Sequence, residues 1–441
     1  MSEQSLQVKV GSYLHLAGRD VPVAMLEELR ARLSRTNPER IQRDKLGLSM
    51  YDVPAQVTLI KEYGTELLLP RGSLAILRAA ARDHSVKLEF VSGVTKNSVG
   101  VRSLDQLPIK LRDYQSAAVQ LLLTRVQGYV TLPCGGGKTV IGCAAMVTSG
   151  EACLILVHSN DLRDQWAKTL QDLYNVRATI IKGPFQPLQA GEIAIGMVQG
   201  LHRAGKHAKA LYDSVGVVLL DECHHCPATT FLEIIEQIPA RHRWGLTATP
   251  DRPDGWGFLL PMVIGPEVYR LSTQELLEKG HLVQPVVVPI RTGINLNLDA
   301  MTIKGRLNMG RCVSALCSND IRNKLLVDLC EMGANNGRVV MLLVPRVKMA
   351  HSIANRLQAL DIDAAPITGH VAKQIRASRL RALRSGTIQV IVATQLADEG
   401  LDIPTLDMLV IASTGRAAGR AVQRIGRIMR PSKGKPVPVV V

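Results

Sequence analysis

Two groups of residues have the types and spacing to handle phosphate. Thr131-Leu-Pro-Cys-Gly-Gly-Gly-Lys-Thr139 lies between an apolar stretch and a helical run from Val140 to Thr148. Glycines at 135, 136 and 137 let the backbone wrap an anion with its N–H groups, and the N-terminus of the following helix adds positive potential. Lys138 has the reach to touch the β- and γ-phosphates of a nucleotide, and the Thr139 hydroxyl suits Mg²⁺. Leu132 stands where the strict G-x-x-x-x-G-K-[ST] pattern has its first glycine, so the loop taken alone also reads as a Gly-rich turn with a surface Lys. Beyond Lys138 by 83 residues, the apolar run Val217-Val-Leu-Leu ends in Asp221 and Glu222. An Asp there fits Mg²⁺, and a Glu fits the orientation and deprotonation of an attacking water. Paired acids at a strand end are commonly only a solvated turn, but with the loop they point to nucleotide hydrolysis.

Gln423, Arg427 and Arg430 are spaced by four and then three residues, so on a helix all three share one face. From a second domain, such arginines neutralise charge on a transferring phosphoryl group; a solvated basic helix is the plain alternative. Cys223-His224-His225-Cys226 has C-x-x-C spacing, but no second pair follows at finger distance, which argues against zinc. The other cysteines, including Cys143, Cys153 and Cys330 in apolar segments, read as small buried side chains of a reducing compartment.

These residues need elements to hold them. A chain of 441 residues is long enough for about three domains. Residues 1–105 mix extended pieces (7–16, 57–63, 86–91) with helical ones (23–33, 73–83), which predicts a small α+β domain. Within it, Leu67 to Pro70 reads as a strand, Gly72 as a turn and Ser73 as a helix cap. Residues 106–282 alternate apolar strands (129–132, 152–157, 192–198, 215–220) with helices, the signature of a parallel α/β sheet. The alternation resumes over 283–441, with strands at 339–344, 390–393 and 409–412.

In this setting Asp221-Glu-Cys-His224 resembles the DExH box of superfamily 2 helicases, and Lys138 with Thr139 resembles their motif I. Further resemblances follow in the family's order: Leu111-Arg112-Asp-Tyr-Gln115 to the Q-type motif, Leu154 to Trp166 with Ser159 to motif Ia, and Gly245-Leu-Thr247-Ala-Thr249-Pro-Asp-Arg252 to motif III. Val339 to Leu357 resembles motif IV, Val392 to Pro404 with Thr394, Gly400 and Asp402 resembles motif V, and Gln423 to Arg430 resembles motif VI. The resemblance implies two RecA-like domains preceded by the small α+β domain, an ATP-dependent helicase or translocase, and ATP with Mg²⁺ as cofactors. It implies adenine-edge contact by Gln115 beside Arg112, metal contact by Asp221 and Thr139, and nucleotide contact near Gly135, Gly136, Gly137, Gly400 and Asp402. It further implies nucleic-acid contact by Ser159 and Thr394, and coupling of hydrolysis to strand movement by Thr247 and Thr249. Glu222, Lys138, Gln423, Arg427 and Arg430 would carry the chemistry. Within the superfamily, Arg243 to Arg252 and Asp398-Glu-Gly-Leu-Asp402 look most like XPB-like and phage recombination helicases that act on DNA, although no evident Arg-Glu-Asp motif is present and the chain ends at Val441, shortly after motif VI. An RNA helicase of the same fold, a motor subunit serving a separate nuclease, and a non-catalytic nucleic-acid-binding module are the alternatives.

Charge agrees with a polyanionic partner. The net formal charge is +15, distributed as +4 over 1–110, −1 over 111–282 and +12 over 283–441. Two acid-free basic runs, 373–384 and 414–441, concentrate it. Aromatic residues are only 3%, so few rings are available for stacking on bases, and contact with DNA (duplex, forked or junction) is expected through phosphates. The start Met1-Ser-Glu-Gln lacks signal-peptide features and no apolar run reaches membrane-spanning length, so a cytoplasmic protein without membrane contact is expected, with recombination or replication proteins as possible partners.

Overall fold

The computed structural model describes residues 5–225, 229–252, 254–303, 306–394, 403, 405–413, 425, 426, 428–432 and 434–441. It divides into two compact units, Met1–Leu132 with Gly137–Leu271, and Pro133–Gly136 with Ser272–Val441.

The first unit holds two sheets. The N-terminal sheet is five-stranded, in the order Lys61–Tyr63, Glu66–Pro70, Tyr13–Ala17, Ser5–Val10, Lys87–Ser92. Only the last pair is parallel; the rest is antiparallel, and with the helices Val23–Arg32 and Leu74–Asp83 it forms the expected α+β arrangement. Its inward residues alternate, as a sheet with one covered face requires: Leu6, Val8, Leu14, Leu16, Leu67 and Leu69 pack on Met25, Leu29 and Leu77. The stretch 7–16 is two strands turning at Gly11 and Ser12, and 57–63 is shared between a short ribbon, Gln56–Thr58 on Ser34–Thr36, and the strand Lys61–Tyr63. Ser73 corrects an expectation. A single 3₁₀ turn, Arg71–Ser73, runs straight into the helix, so the Ser73 hydroxyl donates to the Pro70 carbonyl at 2.6 Å instead of capping.

The second sheet of this unit has seven parallel strands, ordered Thr179–Ile181, Ile193–Met197, Cys153–Val157, Val217–Asp221, His242–Thr247, Gln127–Thr131, Glu267–Arg270. Helices cover both faces, so Cys153–Val157 and Val217–Asp221 are buried at every position, which is why they read as unbroken apolar runs. The N-terminal sheet is fastened to this layer by two buried arginines and by a partly exposed lysine. Arg71 donates to the carbonyls of Ala240 and Arg241. Arg243, 2% exposed, donates to Val263 O at 2.8 Å, Ser12 O at 3.1 Å and Ile235 O at 3.3 Å. Lys61 Nζ meets Glu236 Oε2 at 2.7 Å.

The second unit contains a six-stranded parallel sheet, ordered Val286–Val287, Val439–Val440, Met408–Ile411, Val340–Val344, Val390–Thr394, Ala364–Ile367. Helices Asp320–Asn335 and Val347–Gln358 supply Leu326, Val327, Ile353 and Leu357 to one of its faces. Among the described residues no helix is long and apolar enough to cross a membrane.

Replacing Arg243 strands several buried carbonyls at once. Arg243→Ala is expected to lower the unfolding free energy by about 3 kcal/mol in urea denaturation; an unchanged midpoint and slope would contradict this reading of the fastening.

Candidate active site

Register in the seven-stranded sheet decides which residues meet. Thr247 is paired with Thr131, and Asp221 with Leu246, which is itself opposite Val130. Three parallel strands therefore end level, and the loops after Thr131, Asp221 and Thr247 open at the same edge, the carboxyl end where α/β folds bind ligands.

The glycine-rich loop has the backbone its sequence demands. Gly135 and Gly137 take φ of +87° and +79°, a region costly for any residue with a Cβ. Gly137 precedes the helix Lys138–Ser149 as its N-cap and offers no side chain to cap it. The first N–H groups of that helix thus face the loop as anion donors. Lys138 lies beneath, its side chain 11% exposed, with Nζ 3.5 Å from Leu132 O and 3.8 Å from Glu222 Oε1. Thr139 Oγ1 accepts from Gln165 Nε2 at 3.5 Å.

The two acids are held differently. Asp221, 4% exposed, accepts from the Trp166 indole N–H at 2.7 Å and from the Glu222 N–H at 3.0 Å. Burial, then the charge of Glu222, pushes its carboxyl up to about 6. Burial also works against the Glu222 charge, but the positive charge around it, Lys138 foremost, holds that carboxyl below the ordinary range. Glu222 has φ of +48°, the left-handed conformation, so the turn that aims it is strained for a non-glycine. His224 Nδ1 lies 3.4 Å from Glu222 Oε2 and 2.9 Å from Thr247 Oγ1. Thr247 in turn accepts from the Thr249 N–H at 3.2 Å. Burial drives both His224 and His225 down, His225 to about 4, so these imidazoles are neutral at pH 7.

Other expected residues are placed as follows. Gln115 is buried; its Oε1 accepts from the Arg112 N–H at 3.0 Å, and its amide nitrogen lies where a Cβ on Gly137 would fall, at 2.5 Å. Arg112 stands at the N-cap of the helix Asp113–Thr124, which carries Gln115, and donates to Tyr114 Oη at 3.2 Å. Ser159 caps the helix Asn160–Tyr174, accepting from the Leu162 N–H at 3.3 Å, which leaves its own O–H as a donor. In the second unit Thr394 ends the strand Val390–Thr394, buried, with its hydroxyl lacking a partner among the described residues. The Arg430 carbonyl accepts from Lys435 Nζ at 3.0 Å. Gly400, Asp402, Gln423, Arg427 and Cys226 lie outside the described residues.

Sequence reading missed Trp166 as the donor to Asp221, 55 residues away. A signal existed in Gly142, mid-helix, whose added Cβ would fall 2.5 Å from the Trp166 ring. Only glycine lets that indole approach the acid. The donor set suits hard cations: a carboxylate and a hydroxyl oxygen, with phosphate oxygens from a nucleotide, is how Mg²⁺ is usually held. Among the described residues no three His, Cys, Asp or Glu side chains converge as a metal cage.

Known proteins resemble this chain in both halves. The type III restriction enzyme res subunit family matches residues 108–252, and the helicase conserved C-terminal domain family matches residues 322–432. The protein named "Putative helicase 22" of the Sulfolobus islandicus filamentous virus (isolate Iceland/Hveragerdi) is 25% identical over 354 residues, 74% of this chain and 62% of that protein. The DNA 3'-5' translocase XPB2 of Sulfurisphaera tokodaii is 26% identical over 368 residues, 74% of this chain and 82% of that protein. The chain thus spans less than two thirds of the virus protein. A solved structure of the ATP-dependent Type ISP restriction-modification enzyme LlaBIII bound to DNA shares the fold, with TM-score 0.57 and 15% identity, covering 83% of this chain and 30% of that one.

A carboxyl raised in the folded state penalises folding above its folded value and not below the unfolded value of 3.8. Without divalent cation, Asp221→Asn should raise the unfolding free energy at pH 8 by about 1–3 kcal/mol, a gain that vanishes below about pH 4. Urea denaturation across that range checks it; a variant no more stable at pH 8 would contradict the burial argument.

Proposed function

From the resemblance of the chain to superfamily 2 helicases, we propose that it is an ATP-dependent DNA translocase or helicase acting on duplex or branched DNA in recombination, repair or replication. One observation carries the reading: an uncapped helix N-terminus behind a left-handed glycine loop faces two carboxylates with opposite pKa shifts at one sheet edge. The loop N–H groups and Lys138 take the β- and γ-phosphates, and Thr139 with Asp221 take Mg²⁺. Glu222, ionised, orients and deprotonates the attacking water. Gln115 and Arg112 border the base. Arg430, with Arg427 and Gln423, is assigned to the charge that develops on the transferring phosphoryl group, and Gly400 and Asp402 to the nucleotide. His224 joined to Thr247 and Thr249 is a short path from Glu222 to the next loop, suited to reporting hydrolysis to a bound strand. Ser159 and Thr394 donate to DNA phosphates.

DNA is favoured over RNA by the relative named as a DNA translocase, and by the concentration of charge in residues 283–441. Phosphate contact without base readout suits a motor that must pass over any sequence. The helix Lys373–Arg384 is its most basic described element. Arg379 on that helix donates to the Pro366 carbonyl, while Arg381 is exposed, and the DNA contact is assigned to this basic run.

DNA-stimulated ATP hydrolysis tests the function directly. Lys138→Ala should lose it by about 100-fold or more, and forked or duplex DNA should stimulate the wild-type chain better than RNA. Stimulated hydrolysis that survives Lys138→Ala, or RNA as the better activator, would overturn the reading. Changing Lys373, Arg381 and Arg384 together to Gln should lessen the slope of log affinity against log salt by about two to three; an unchanged slope would remove this helix from the DNA contact.

A further inference from the structure

Two of the contacts between the N-terminal region and the ATPase layer lie apart from each other within the first unit. One is the buried clamp of Arg71 and Arg243. The other lies at the helix Pro38–Lys45, and a cavity of about 650 Å³ lined by residues such as Val57, Leu59, Leu232, Met262 and Trp256 separates the two. At this second place Gln42 Nε2 donates to the Asp254 carbonyl at 2.8 Å. Gly255, at φ of +82°, packs so closely on Pro38 that an added Cβ would fall 2.9 Å from the proline Cβ. The contact therefore involves the loop that follows Thr247 and Thr249, not an arbitrary part of the surface.

From there the polar contacts are continuous to the acids. The Asp254 carboxylate is gripped by Arg252 through both Nε, at 2.9 Å, and Nη2, and also accepts from the Trp256 N–H at 3.2 Å. Arg252 Nη1 donates to the carbonyl of His224. His224 is the residue whose ring lies against Glu222 and Thr247. A guanidinium tied to a carboxylate on one side has one orientation left for its remaining N–H, so Asp254 fixes where Arg252 holds the His224 carbonyl. That carbonyl belongs to the turn in which Glu222 sits at positive φ, a conformation that persists only where its surroundings impose it.

We infer that Gln42, Asp254 and Arg252 form a positioning relay through which the N-terminal sheet's helix Pro38–Lys45 holds the Glu222–His224 turn in its hydrolytic geometry. None of the three is a catalytic residue; each acts through the next. The relay makes the N-terminal region part of the ATPase mechanism, whatever nucleic acid it contacts. Because phosphate binding rests on the loop and Lys138, which the relay does not touch, its loss acts on turnover and not on nucleotide affinity.

The inference rests on the ATPase reading and is tested on the full chain by steady-state hydrolysis at saturating DNA. Gln42→Ala should lower kcat about threefold with KM for ATP unchanged, and Arg252→Ala should lower kcat about tenfold or more, again with KM for ATP unchanged. Gln42→Lys, which retains a donor of similar reach, should restore kcat to within about twofold of the wild type. Gly255→Ala, which forces the loop off Pro38, should reproduce the Gln42→Ala loss. Thermal denaturation of each variant accompanies the kinetics. If Gln42→Ala and Gly255→Ala keep the wild-type kcat, the relay is wrong while the ATPase reading stands. If kcat falls only in step with melting temperature, or Gln42→Lys fails to restore it, the contact is merely structural and the relay is likewise wrong. A wild-type chain without DNA-stimulated hydrolysis would overturn both.

Discussion

Everything at the candidate site depends on the parallel register of three strands, Gln127–Thr131, His242–Thr247 and Val217–Asp221. With Thr131 opposite Thr247 and Asp221 opposite Leu246, the glycine loop, the two acids and the threonine pair emerge from one sheet edge. A one-residue slip in any of them would turn its side chains to the opposite face and carry Asp221 away from Trp166. Burial of every position in these strands except Gln127 protects the register, since close packing on both faces admits few alternatives. Gly142 and Gly245 belong to the same constraint, because both stand where the layers approach too closely for a Cβ.

Given that frame, the chemistry follows from putting two carboxyls side by side in different surroundings. Asp221 is deeper and faces an indole donor, and burial favours its protonated form until a cation arrives. Glu222 faces Lys138 and imidazoles that burial keeps neutral, and is ionised. Environments that drive adjacent acids apart in pKa assign them separate tasks. A divalent cation would relieve the penalty on Asp221, so metal and nucleotide binding stabilise an arrangement that is unfavourable on its own. The neutral histidines also mean that Glu222 meets His224 through a 3.4 Å polar contact and not a strong ion pair, while the His224 Nδ1 hydrogen bond goes to Thr247.

Much of this was legible in the sequence, because the informative residues are local. A glycine loop between strand and helix and an acidic pair ending an apolar run each declare themselves within a dozen positions. The alternation of strands and helices likewise located the inner strands at 127–131, 153–157, 193–197, 217–221, 340–344, 390–394 and 408–411 to within about two residues, but not the strands Thr179–Ile181, His242–Thr247, Glu267–Arg270, Val286–Val287, Ala364–Ile367 and Val439–Val440. What could not be read are contacts made by folding: Trp166 to Asp221 across 55 residues, and Gln42 to Asp254 across 212. Ser73 misled for the opposite reason. Its type and position satisfy a helix cap, yet the preceding 3₁₀ turn already occupies its hydroxyl. Arg252 was read as the end of a motif, while its partner two residues on was invisible as such because an Arg-Pro-Asp string carries no periodicity.

The central claim is that Glu222 is the ionised base and that the loop, Lys138 and Asp221 bind the nucleotide without its help. Measuring Mg·ATP affinity and single-turnover hydrolysis separately for Glu222→Gln tests this most directly. The account predicts affinity retained within about threefold and hydrolysis slowed by about 10²- to 10⁴-fold. Hydrolysis at the wild-type rate, or loss of affinity large enough to explain the slowing, would contradict it.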